Sequence, residues 1–174
     1  SDYIHSVEDA ERALEVSRSR VYSMALVHER LYKSENFSQI GMREYIEAVV
    51  EELTSLYVYD RDIKVNMHIE DAELDITLAV PFGLILNELV TNALLHAFPQ
   101  DSSGQIDVGF TCNSQDECRM EVKDNGVGLT HDQQEEEGHL GLTLIRLLSS
   151  QIGAEVTVHS NHGTRIMIRI PRTG

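Results

Sequence analysis

Acidic residues outnumber basic ones by 29 to 14 in a chain of 174 residues, for a formal net charge of −15. Such a balance disfavours nonspecific binding to nucleic acid or to an anionic membrane. The length and a hydrophobic share of 41% suit one well-buried domain with an appendage better than two separate cores. No uninterrupted apolar run approaches the roughly 20 residues of a membrane span, and the opening SDYIHSVEDAER lacks the shape of a signal peptide. A cytoplasmic chain without a membrane segment is the expectation. An anionic substrate would need a divalent cation, backbone amides at a helix start or a few placed bases.

From Val7 to about Tyr32 a seven-residue pattern runs through Val7, Ala10, Leu14, Ser17, Val21, Met24, His28 and Leu31, the seam of a long helix seeking a partner. Its apolar side chains need cover, either from the rest of the chain or from a second copy, and the seven-residue spacing favours the second copy. His28 lies in the seam and reads as a packed interface histidine; HERLY lacks the second His of a zinc-protease helix. Lys33 to Met42 reads as a polar connection, and Arg43 to Tyr57 as an amphipathic helix with Ile46, Val49, Val50, Leu53, Leu56 and Tyr57 on its buried side. At Ile63 the period changes to two: Ile63, Val65, Met67 and Ile69 alternate with Lys64, Asn66 and His68, which predicts a half-buried strand. Leu74 to Leu78 adds a short strand.

Gly83 to Phe98, GLILNELVTNALLHAF, predicts the central helix, with Pro81 in its first turn. Leu86, Leu89, Val90, Ala93, Leu94 and Ala97 form its apolar band, and Glu88, Asn92 and His96 recur every four residues on another face. A carboxylate one turn from a side-chain carbonyl suits magnesium-assisted phosphate chemistry, although a plain solvated face would read the same way. Two alternating runs follow, Ile106, Val108, Phe110 and Cys112 answering Cys118, Met120 and Val122, joined by a turn at Asn113 to Glu117. Cys112 and Cys118 flank that turn, and a reducing compartment favours two buried thiols over a bridge.

The run DNGVG, Asp124 to Gly128, reads as a hairpin turn until its sequel is considered. The polar, acidic stretch Leu129 to Glu137 is too long for a tight turn, and Gly138 and Gly141 then stand immediately before a helix running to Ile152 and stopping at Gly153. Glycines at a helix start admit an anion close to backbone amides. Glu155 to Ser160 and Thr164 to Ile170 close the chain as a hairpin around Asn161 to Gly163. The order from Ile63 onward predicts an α+β fold, a mixed sheet with helices on one face in an α/β sandwich.

Together, NELVTNA on a helix, DNGVG after a strand, GHLGL after a long loop and HGT entering the last strand resemble the four nucleotide-binding boxes of the GHKL (Bergerat) fold shared by gyrase, Hsp90, histidine kinases and MutL. LILNELVTNAL-HAFP and RVYSMALVHERLYKSE look like sensor histidine kinases of the second HisKA type, close to the HWE group. The resemblance implies a helical segment over 1–59, similar to the second half of a dimerisation and phosphotransfer hairpin plus a connecting helix, and an ATP-binding catalytic domain over 60–174. It implies a two-component sensor kinase that uses Mg-ATP, a response-regulator receiver domain as partner and a homodimer through the N-terminal helix. Glu88 would orient or deprotonate the nucleophile, Asn92 would hold magnesium, and Asp124 would accept the adenine amino hydrogen. Gly126 and Gly128 would let the backbone pass close to the nucleotide, Gly138 and Gly141 would hinge the lid 129–137, Thr164 would complete the adenine contact, and His96 would lie beside the cofactor on the same helix.

Two departures from the family pattern stand out. Leu95 replaces a lysine usual three residues after the magnesium-binding Asn, leaving phosphate binding weaker or dependent on Arg146. The HRVKNN-like motif that carries the phosphoacceptor His is absent from these 174 residues, so the acceptor is expected on a helix outside the chain. A nucleotide-sensing or partner-binding module with little transfer activity, or an ATPase or protein serine kinase on the same fold, are the alternatives.

Overall fold

The computed structural model describes residues 14, 16–23, 25, 39–58, 61–99, 103–113, 117–128 and 140–171. Helix α1, described over 16–23, is followed by β1 (Gln39–Gly41), α2 (Met42–Tyr57), β2 (Ile63–Ile69) and β3 (Glu73–Asp75). Next come α3 (Ile76–Asn92), a π-helical turn at Ala93–Ala97, β4 (Gly104–Cys112), β5 (Glu117–Asp124), α4 (Leu140–Gln151), β6 (Glu155–Ser160) and β7 (Thr164–Pro171).

Period-two patterning builds the main sheet. Its strand order is β2-β4-β5-β7-β6, with β2 and β4 parallel and the other pairs antiparallel. A parallel pair needs a long crossover, and α3 supplies it. Every second residue of the central strands faces the core: Val108 and Phe110 of β4, Met120 of β5 and Ile168 of β7 are buried, in one cluster with Ile46, Val49 and Leu53 of α2 and Ile85, Leu86 and Leu89 of α3. Phe82 and Phe110 meet edge to face, with ring centroids 5.2 Å apart, a favoured aromatic arrangement. The opposite face of the sheet is polar. There Asn66 donates to Asp107 at 2.9 Å and Arg165 pairs with Glu121 at 2.7 Å. The result is the expected mixed sheet with helices on one face, and α2 shares its core.

Several local expectations are corrected. The central helix begins at Ile76, not beside Pro81, because the Asp75 carboxylate caps it by accepting from the Thr77 amide at 2.8 Å. Pro81 therefore lies inside the helix, where it withholds one amide from the hydrogen-bond ladder. The preceding strand is correspondingly short, and its partner is β1, which occupies part of the stretch read as a polar connection. Cys112 and Cys118 are directly paired in the β4–β5 register, with Cα atoms 4.1 Å apart, and form a disulfide in place of the two thiols expected.

Helix α1 docks on the rest of the chain through a face other than the apolar seam: Ser19 and Ser23 are 1% exposed, while Leu14 and Val21 of the seam are 70% and 65% exposed and are left without cover from the described residues. Val7, Ala10, Met24, His28 and Leu31 lie outside the described residues, as do Gly138 and the acidic stretch 129–137. Ile76–Ala97 is long and apolar enough to cross a membrane, but 78% of its most apolar stretch is buried within the fold, which makes it the core helix.

Candidate nucleotide-binding site

The site forms where α3 passes the ends of β5 and β7. Asp124, the last residue of β5, is 6% exposed, and its Oδ1 accepts from the Gly126 amide at 2.9 Å and the Thr164 amide at 3.2 Å. Burial pushes this carboxyl above its usual range, with the Gly126 and Thr164 hydrogen bonds pulling the other way. Asp124 and Thr164, forty residues apart, are thus parts of one arrangement. Neighbouring Asn125 closes the strand end through Gln105, whose amide donates to Asn125 Oδ1 at 2.8 Å.

The DNGVG loop is fixed to the π-helical turn that follows α3. The Val127 amide donates to the Ala97 carbonyl at 2.9 Å, and a Cβ on Gly126 would fall 2.1 Å from that same oxygen, so only glycine permits the approach. Gly163 has φ +116°, and a Cβ there would lie 2.2 Å from the Asp124 carbonyl oxygen. Gly128, with φ +78°, faces Ser160 and Gly163. Glycines thus let the loop, the helix end and the β6–β7 turn close on one another.

Along α3, Glu88 is 2% exposed and Asn92 half-buried. Gly141, at the start of α4, lies over both: a Cβ on it would come within 3.0 Å of Glu88 Oε2 and 3.5 Å of Asn92 Oδ1. The expected line of Glu88, Asn92 and His96 is interrupted by the π-helical turn, which lengthens the repeat after Asn92, and His96 is exposed. Leu95 is half-buried and Arg146 exposed on α4. Among the described residues no cluster of three or more His, Cys, Asp and Glu could hold a metal.

Two arginines escaped sequence reasoning because their partners are distant. Arg61 caps the end of the helix, donating to the Leu94 and Phe98 carbonyls at 2.6 and 2.7 Å. Arg20 of α1 grips Glu88 with a two-point bond, Nε to Oε1 and Nη2 to Oε2, the latter at 2.8 Å. The pairing raises the Arg20 pKa above its ordinary value, the hydrogen bond to Glu88 outweighing desolvation. Beside it, Asn87 Nδ2 donates to Ser23 Oγ at 2.9 Å and to the Ser19 carbonyl at 3.1 Å.

The five-stranded mixed sheet with helices on one face is that of a histidine kinase-type ATPase domain. The chain belongs to the histidine kinase-, DNA gyrase B- and HSP90-like ATPase family, whose model matches residues 77–174, and residues 3–57 match a second model described as histidine kinase. Blue-light-activated histidine kinase 2 of Erythrobacter litoralis is 35% identical over 111 residues, 63% of this chain and 32% of that protein. Sensor histidine kinase PdtaS of Mycobacterium tuberculosis is 29% identical over 171 residues, 94% of this chain and 33% of that one. Among solved structures, the histidine kinase domain of an Erythrobacter litoralis blue-light-activated kinase superposes with a TM-score of 0.83 at 27% identity, covering 90% of this chain and 75% of that one. The chain spans about a third of the length of these curated relatives.

Proposed function

We propose that this chain is the ATP-binding catalytic portion of a cytoplasmic two-component sensor histidine kinase, with residues 1–59 serving phosphotransfer and 60–174 binding the nucleotide. The observation that carries the reading is the Asp124 carboxylate, buried and oriented by the Gly126 and Thr164 amides. The ionised acceptor would receive a hydrogen from the 6-amino group of adenine, where guanine presents a carbonyl oxygen with no hydrogen to donate. Thr164 sits beside Asp124, and Gly126 and Gly128 let the loop close against Ala97, Ser160 and Gly163 so that its backbone can border the nucleotide. Asn92 would hold Mg2+, which when bound offsets the charge of the triphosphate in an otherwise acidic protein.

Glu88, one turn before Asn92, takes or orients the proton of the attacking imidazole, and Gly138 and Gly141 frame the lid. The γ-phosphoryl group passes to a histidine on a helix outside these residues, and from there to a receiver domain. Positioning and electrostatics carry most of such catalysis. Titration calorimetry tests the nucleotide reading: Mg-ATP should bind at least tenfold tighter than Mg-GTP. Equal affinity for the two nucleotides removes Asp124 as the selector of the base.

A further inference from the structure

The contact between α1 and α3 does more than join two segments. Both carboxylate oxygens of Glu88 are taken by the Arg20 guanidinium, and Gly141 stands against Oε2. The two-point bond takes one lone-pair site on each oxygen and fixes the carboxylate toward α1, so it is not free to turn toward a nucleophile's proton. The contact is also built from polar groups. Ser19 Oγ lies 3.3 Å from Asn87 Oδ1, Asn87 reaches Ser23, and Tyr45 of α2 donates to the Ser23 carbonyl at 3.2 Å.

Apolar residues of the same helix, Leu14 and Val21, remain exposed. A helix held by one strong charge-assisted pair, Arg20 with Glu88, and otherwise by neutral hydrogen bonds of small net worth, while its apolar side stays outside, is suited to two positions set by that pair. We propose that α1 is an inhibitory latch, in which Arg20 sequesters the Glu88 carboxylate and its withdrawal from α3 frees that carboxylate for catalysis. Arg20 acts only through Glu88 and is a positioning residue. The proposal rests on the reading of Glu88 as the group that handles the nucleophile's proton.

Water can replace the histidine nucleophile in a test on this chain: its oxygen bonds to the γ-phosphorus, the bond to the bridging oxygen breaks, ADP and phosphate leave, and the water proton passes to Glu88. With Mg-ATP as probe, Arg20→Gln should raise kcat for phosphate release at least fivefold while KM changes less than twofold. Arg20→Lys, which keeps the charge without the two-point bond, should fall between. Ser23→Leu wedges α1 away with both ionic partners intact and should also raise kcat, with faster amide exchange at residues 16–23 and unchanged protection in β5 and β7.

Glu88→Gln added to Arg20→Gln should abolish the gain. Unchanged or lower turnover in both Arg20→Gln and Ser23→Leu, with Mg-ATP still binding, overturns the latch and leaves the nucleotide reading standing. If the wild-type chain gives no Mg-ATP heat in calorimetry, the nucleotide reading itself fails, and the latch with it.

Discussion

Asp124 shows how a binding residue is held at a cost to stability. Burial raises its pKa in the folded protein, so relative to the unfolded chain the fold is favoured at pH values below the ordinary carboxylate range. That contribution is lost as pH rises through the folded-state pKa. At neutral pH the ionised side chain therefore weakens the fold that uses it. Asp124→Asn keeps an oxygen for the Gly126 and Thr164 amides but removes the charge. It should melt higher than wild type at pH 7, with the gap closing as pH falls toward about 4, while calorimetry registers at least a tenfold loss of ATP affinity. Asn92→Ala is expected to abolish the magnesium dependence of the remaining binding, read by titrations with and without the ion; retained dependence would place the metal elsewhere.

At the scale of elements, legibility followed the range of the interactions. Strands β2, β4, β5, β6 and β7 were readable because alternation is local and their inward residues are mostly apolar, Asp124 and Thr164 at the site end of β5 and β7 being the polar ones. The three-residue β1 was not, since it exists only through its pairing with Glu73–Asp75. The start of α3 was misplaced because Pro81 is a strong local sign and the Asp75 cap a weaker one. Asp124, Gly126 and Thr164 were legible as candidates by motif, but Arg20 and Arg61 were not, because an ion pair across 68 positions and a guanidinium bond to a backbone carbonyl across 33 leave no pattern in sequence.

Packing of α2 on α3 shows the same dependence on context. Gly83 admits the Tyr45 hydroxyl so closely that a Cβ would lie 1.6 Å from it and 2.4 Å from ring atom Cζ. Gly83→Ala should cost about 1–3 kcal/mol by overpacking, measured by denaturant unfolding. Adding Tyr45→Phe should restore only part, since the ring carbon still collides. Full tolerance of Gly83→Ala would show that the two helices are not in close register.

For the whole molecule, α1 has two faces with different uses. Its polar face, Ser19, Arg20 and Ser23, is spent on the chain's own α2 and α3, so cover by the same domain does not satisfy the apolar seam. Leu14 and Val21 stay in solvent at 70% and 65% exposure, and burying side chains of that size is worth roughly 1.5–3 kcal/mol each. Seven-residue spacing matches the geometry of helix against helix, and a second copy supplies the same stripe. Self-association through α1 is therefore expected, with one face of the helix on the catalytic unit and the other on the partner protomer. Light scattering should show mass rising with concentration in wild type and holding at the monomer value in Leu14→Glu with Val21→Glu. Mg-ATP affinity should be preserved in that variant, because neither residue touches α3 through the docked face. A wild-type chain that stays monomeric at high concentration would mean that the exposed seam is not a pairing surface for this chain.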